Sequence, residues 1–157
     1  MKYLGTLIVV KDIEKAKKFY HDVLDQDVIV DLGANVTLSG GFFLQTLESW
    51  IDFIHKDKDE IHYGNNDAEL YFEEDDMDVF IDKLESFNIQ YVHPLKEHSW
   101  GQRVVRFYDL DKHIIEVGES MAVIVKRFIS SGMTIEQTAI RMDVSIDYIK
   151  SLVAENH

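Results

Sequence analysis

The stretch Trp100-Gly-Gln-Arg-Val-Val-Arg-Phe-Tyr-Asp-Leu-Asp-Lys-His-Ile-Ile-Glu-Val-Gly-Glu119 reads as two paired strands joined by a turn. Arg103 to Tyr108 is mostly β-branched or aromatic, Asp109 to Lys112 has turn composition, and Ile114 to Val117 resumes the strand pattern. Alternation places Glu116 on the face of Ile114, so a carboxylate lies on a face that is either core or cleft.

Working outward, Glu69 to Glu74 alternates as a strand and Asp75-Asp76 opens a helix whose apolar stripe is Met77, Phe80, Ile81, Leu84 and Phe87. A further strand is expected at Ile89 to His93. The first half has the same order. A β-rich run from Tyr3 to Val10 leads to Asp12 as N-cap, and Ile13, Ala16, Phe19, Tyr20, Val23 and Leu24 keep helical spacing. Strands are expected at Val28 to Leu32, Val36 to Ser39 and Phe42 to Leu47, separated by Gly33-Ala34-Asn35 and Gly40-Gly41. Sliding one half over the other by 64 positions puts Asp12 on Asp76, Ile13 on Met77 and Gly5 on Glu69. Few identities survive, but the order of elements repeats. Trp50 to Asn66, rich in charge, suits a linker with a short helix.

The bulk numbers limit the function classes. The chain has 157 residues, enough for one domain with a core and a short appendage. No run approaches the roughly 20 apolar residues of a membrane span, and Met1-Lys2 is followed by a strand pattern rather than a signal peptide, so a cytoplasmic protein without a membrane partner is expected. With no cysteine, thiolate metal sites and cysteine nucleophiles are excluded. A formal net charge of -13 argues against nonspecific binding to nucleic acid. From Met121 onward four basic residues balance four acidic ones, so the excess lies in the first 120 residues and a boundary is expected near Ser120.

The paired strand-helix-strands halves, the opening Ala68-Glu-Leu-Tyr-Phe-Glu-Glu-Asp-Asp76 and the segment from Trp100 to Glu116 resemble the vicinal-oxygen-chelate superfamily, which includes glyoxalases, bleomycin-resistance proteins, fosfomycin-modifying enzymes and extradiol dioxygenases. The resemblance covers about residues 1 to 120. Where relatives usually carry Asp-Pro-Asp-Gly, this chain has Asp109-Leu-Asp-Lys112. The resemblance implies an α+β fold of two βαβββ modules, about 1–49 and 67–119, forming a curved mixed sheet around a cleft, with a helical extension at 121–157. It also implies a homodimer and a small-molecule ligand.

In metal-dependent relatives four ligands come from the first and last strands of each module. Matched position by position, the resemblance implies Gly5, Gln45, Glu69 and Glu116, with Phe43 or Leu47 as other registers for Gln45. One of four ligands is missing. A metal held by Gln45, Glu69 and Glu116 would be a divalent ion among Mg²⁺, Mn²⁺, Ni²⁺, Fe²⁺ and Zn²⁺. Carboxylate and amide oxygens favour the hard ions, whereas zinc and iron normally want histidine. The competing reading is a metal-free cleft lined by these polar residues.

Seven histidines are present. His21, His55, His62 and His157 are expected at the surface, and His93, His98 and His113 lie near the decisive stretch. His98, two residues before Trp100, is the candidate to bind substrate or move a proton beside Glu116, because its ordinary pKa suits that role. Arg103 and Arg106 have opposite strand parity, so at most one faces the cleft. Trp100, Arg103, Phe43 and Tyr108 are the candidate ligand-binding residues. No phosphate loop, nucleophile elbow or His-Glu-x-x-His pattern occurs.

The tail reads as helices at Ala122 to Ile129, Ile135 to Met142 (capped by Thr134) and Ile146 to Val153 (capped by Ser145). Its second half is similar to a helix-turn-helix. Yet the last helix sets Asp147 and Glu155 against a single Lys150, which argues for packing rather than DNA reading. Three functions stay open. They are a metal-free protein binding an aromatic or cationic compound, a metal-dependent lyase, isomerase or dioxygenase, and a ligand-sensing regulator.

Overall fold

Both helices of the repeat start because an aspartate stands just ahead of an apolar stripe and its side chain accepts a free backbone N–H. In the computed structural model, which describes residues 1–155, Asp12 accepts from Lys15 N at 3.0 Å ahead of α1 (Ile13–Leu24), and Asp76 accepts from Val79 N at 3.2 Å ahead of α3 (Met77–Glu85). His157 lies outside the described residues.

The chain divides into two units by its internal contacts: residues 1–68 with Asp109–His113, and residues 69–108 with 114–157. The first holds β1 (Leu7–Val10), α1, β2 (Val28–Asp31), β3 (Asn35–Leu38), β4 (Phe43–Thr46) and α2 (Leu47–Ile54). Its sheet runs β1-β4-β3-β2, with β1 and β4 parallel and the other neighbours antiparallel. The strand expected from Tyr3 begins only at Leu7. At Gly5 a Cβ would stand 2.1 Å from the Gly41 carbonyl oxygen, and the backbone takes φ +151°, so this approach excludes any side chain there. The helix expected in the linker starts earlier, at Leu47, directly from β4. The core of this unit gathers Val10, Tyr20, Val23, Leu38 and Leu44, all essentially inaccessible. Such a side chain contributes about 1.5–3 kcal/mol on burial.

The second unit holds β5 (Glu69–Glu74), α3, β6 (Gln90–Glu97), β7 (Arg103–Tyr108) and β8 (Ile114–Glu119), in the order β5-β8-β7-β6. Here too the first and last strands are parallel. The strand expected at Ile89 to His93 runs on to Glu97 through two register irregularities, the second of which spans Pro94, a residue with no N–H to offer the ladder. Two βαβββ modules and an α+β architecture are thus present, as the repeat implied.

The tail lies in the second unit and forms α4 (Met121–Ser130), α5 (Ile135–Met142) and α6 (Ile146–Glu155). Ser120 caps α4, and Thr134 with Gln137 forms a reciprocal capping box at α5. The three helices enclose Ile124, Val125, Phe128, Ala139, Met142 and Ile149. Among the described residues no helix is long and apolar enough to cross a membrane.

Candidate functional site

Strand pairing in the second sheet sets the face on which each candidate lies. Tyr71 pairs with Glu116 and Glu116 with Arg106, so these side chains share a face with Glu69, Tyr108 and His93. Arg103 and Glu119 lie on the opposite face, where Arg103 donates to Asp78 of α3 at 2.7 Å and to Glu119 at 2.7 Å. Of the two arginines, the structure therefore brings Arg106 and not Arg103 to the face of Glu116. Parity left that choice open, since it depends on the register in which β7 pairs with β8.

Arg106 is the centre of the site. Its Nε donates to Glu69 Oε2 at 2.9 Å, its Nη2 pairs with Glu116 Oε2, and its Nη1 meets His93 Nε2 at 3.2 Å. His93 Nδ1 lies 2.9 Å from the Pro94 carbonyl oxygen, which only accepts. Nδ1 therefore carries the hydrogen, and the Nε2 lone pair faces the guanidinium. Glu116 is only 6% exposed, so without Arg106 its charge would be buried without a counterion. Glu69 and Tyr71 stay open to solvent, and Tyr71 donates to Glu73 at 3.1 Å.

At one end of this face is the turn between β6 and β7. His98 and Trp100 stack there with centroids 4.2 Å apart and planes 16° from parallel. Trp100 Nε1 donates to Gln102 Oε1, and Gln102 Nε2 donates to the Tyr71 hydroxyl at 3.1 Å and the Glu119 carbonyl oxygen at 2.9 Å. Burial pushes the His98 pKa below its ordinary value, and the charges of Lys96, Arg106 and His93 add to this. His98 stacks on Trp100 in the turn, whereas Glu116 is held by Arg106, so the two residues paired as catalytic candidates are engaged with different partners. Gln102 carries no signal of its own in the sequence, and its role appears only once Gly118 opens the space that its amide fills.

The tail supports this turn. The Gly101 backbone lies against Phe128 so closely that a Cβ would stand 2.2 Å from the ring, and Arg127 donates to the Gly101 carbonyl oxygen and to Glu119. Sequence reading missed Glu119 and Arg127, because a glutamate at a strand end and an arginine in a helix look like ordinary solvated residues.

In the first unit, Leu7 pairs with Phe43, as Tyr71 pairs with Glu116 in the second. Leu7 and Tyr71 are related by the 64-residue repeat, so Phe43 and not Gln45 corresponds to Glu116. Gln45 pairs with Val9, is 2% exposed, accepts from Asn35 at 2.7 Å and donates to Ser49. Module one thus offers a glycine and a phenylalanine at the two repeat-related positions, while Glu69 and Glu116 of module two both hold an arginine. These residues do not fit a divalent ion as they stand. Among the described residues, no group of three or more His, Cys, Asp or Glu is placed to hold one.

The acids of the Asp109–Asp111 turn are also occupied. Asp109 accepts from the Tyr20 hydroxyl, the backbone of Asp111, and the backbone N–H and ring Nδ1 of His113, all within 2.9 Å, and Asp111 accepts from Lys11. Their burial and bonding make them turn-forming residues.

Tandem βαβββ modules, each closing its sheet with a parallel pair of first and last strands, define the class of the vicinal-oxygen-chelate fold. The chain belongs to the glyoxalase-like domain family, whose model matches residues 3–122. It is similar to a protein of unknown function from Agrobacterium tumefaciens, with 35% identity and a TM-score of 0.69 over 77% of this chain and 95% of that one. A hypothetical protein from S. aureus shares the fold at 16% identity and a TM-score of 0.65, covering 76% of this chain and 94% of that one. So does a glyoxalase/bleomycin resistance protein/dioxygenase family enzyme from Burkholderia phytofirmans, at 14% identity and 0.64, covering 74% and 97%. No curated protein matches the chain significantly.

Proposed function

We propose that this protein binds a small aromatic or cationic molecule on the Glu116 face of the second sheet, without a catalytic metal. The observation that carries the reading is the pairing of Arg106 with both Glu69 and Glu116, which commits the two family-position carboxylates to an internal cation. The face keeps aromatic surface at Tyr71, 48% exposed, and at Trp100 and Tyr108, which are partly exposed. Around them Glu69, Glu73 and Glu116 outnumber Arg106, so the local charge favours a cation over an anion. His98 stacks behind Trp100 and holds its ring in place for a planar ligand.

The test uses ethidium as a planar aromatic cation and anilinonaphthalene sulfonate as an anionic comparator, both followed by fluorescence. Saturable binding of ethidium, unchanged by EDTA and weakened about tenfold in Trp100→Ala, is expected, in line with about 1–2 kcal/mol for a cation over an indole. Preference for the anion, or loss of binding with EDTA, would overturn the reading.

A further inference from the structure

We infer that Arg127 and Phe128 of the tail are positioning residues of the proposed binding site, a step that rests on the binding reading: they hold the turn that carries Trp100, so docking of the tail and binding at Trp100 are coupled. The turn runs from His98 to Gln102 and is closed by backbone hydrogen bonds from His98 N to Gln102 O at 2.8 Å and from Gly101 N to His98 O at 2.9 Å. Its tip, Gly101, lies in the left-handed region with φ 96°, and the Phe128 ring fills the space that a Cβ there would need. Arg127 Nη2 donates to the Gly101 carbonyl oxygen at 2.5 Å and to Glu119 at 2.8 Å. The entry to the turn is held as well. Glu97, which ends β6, lies 3.6 Å from Arg127 Nη1 and 3.6 Å from Arg141 Nη2 of α5. Both guanidinium groups lie over the Phe128 ring, at 5.4 and 5.8 Å from its centroid, so ring, arginines and turn pack as one unit.

The turn is thereby divided between two tasks. Glu97 and Gly101 are engaged by the tail, whereas His98 and Trp100 stack on each other, and Trp100 is tied through Gln102 to Tyr71. Trp100 is one residue from the tip, so the tip cannot move and leave the indole in place. Burial raises the Tyr71 pKa, and the phenol of Tyr148 in α6 adds to this, so the tail borders the same face at a second point. Both positioning residues follow residue 122, where the glyoxalase-like match ends, so the support comes from the extension of this chain and not from the family domain. A planar cation on Trp100 favours the ordered turn, and the ordered turn is the one that α4 contacts. By linkage each event raises the population of the other by the same factor.

The test uses the full chain in a Trp50→Phe background, with Phe128→Leu and Arg127→Lys as variants that keep a buried apolar group and a cation. Without any added molecule, acrylamide quenching of Trp100 is expected to rise in either variant. Ethidium affinity is expected to fall about tenfold, a scale usual for linked sites. Saturating ethidium is expected to slow hydrogen exchange in α4 to α6 more than in α1, a difference that a purely structural tail would not show. Unchanged quenching in the folded variants would overturn the inference, as would unchanged ethidium affinity or equal slowing in α1 and the tail. Arg141→Ala, at an exposed position, is read in the same way where circular dichroism shows either variant to be unfolded. Absence of ethidium binding by the wild type overturns the binding reading, and the quenching result then decides by itself whether the tail positions Trp100.

Discussion

Arg127 Nη2 donates to Glu119 Oε2 at 2.8 Å, and the acceptor has no exposed surface. The other carboxylate oxygen takes Arg103 Nε at 2.7 Å, so one buried acid joins β8 to β7 and to the first tail helix. Removing the acid leaves two arginines facing an unfilled space, which costs roughly 3–5 kcal/mol. Glu119→Ala is expected to lower stability by that amount in urea titrations. Arg127→Ala, which leaves Arg103 in place, is expected to cost less and to speed tryptic cleavage within the tail. A protected tail in Arg127→Ala would show that the apolar helix contacts suffice.

Asp109 predicts the acid limit of stability. Burial pushes its carboxyl up, but the hydrogen bond and charge of His113, the Tyr20 hydroxyl and the His113 backbone N–H outweigh this and hold it below its ordinary 3.8. A folded pKa below the unfolded one means that the contribution is present above the unfolded value and is lost as pH falls through the folded one. Stability of the wild type is therefore expected to drop more steeply than that of Asp109→Asn as pH falls below the ordinary carboxyl value of 3.8. Parallel slopes in denaturant titrations across that range would contradict the assignment.

Lys112 occupies the fourth position of the turn with φ 73°, where relatives usually carry glycine. A side chain there costs about 1–2 kcal/mol in left-handed backbone, partly offset because glycine has more freedom to lose on folding. Lys112→Gly is expected to gain about 0.5–1 kcal/mol and raise the melting temperature by about 2 °C. A lower melting temperature would mean that the lysine side chain contributes more than the backbone costs.

The His98–Trp100 stack gives an optical handle on the site. In a Trp50→Phe background, tryptophan fluorescence is expected to fall as His98 gains its proton, with a midpoint below the ordinary histidine value of 6.5. The linkage sign matches that of Asp109: with the folded pKa depressed, the contribution holds above 6.5 and is lost as pH falls through the folded value. His98→Gln should flatten the titration. A midpoint at or above 6.5 would place His98 in more open surroundings than the structure gives it.

Most of the architecture was legible in the chain itself. The spacing of Met77, Phe80 and Leu84, the aspartates at Asp12 and Asp76, and the alternation from Arg103 to Tyr108 each act within a few residues, and each produced the element expected. The offset of 64 holds as well between the ends of the first strands, Val10 and Glu74, because the N-caps Asp12 and Asp76 follow each by two residues. The Gln45 match failed for the opposite reason. Loops of different length separate the helix from the last strand in the two halves, so sequence distance lost the register that backbone pairing restores at Phe43.

Local periodicity and capping thus determine the two modules, their helices and the three-helix tail, since these depend on near neighbours along the chain. The partner of each charge is decided by the tertiary structure. Arg103 and Arg106 are three residues apart and chemically identical, yet one is used by Glu119 and Asp78 and the other by Glu69 and Glu116. Strand parity separates them, but only the register of β7 against β8, which sets Arg106 opposite Glu116, settles which arginine stands among the carboxylates of the open face.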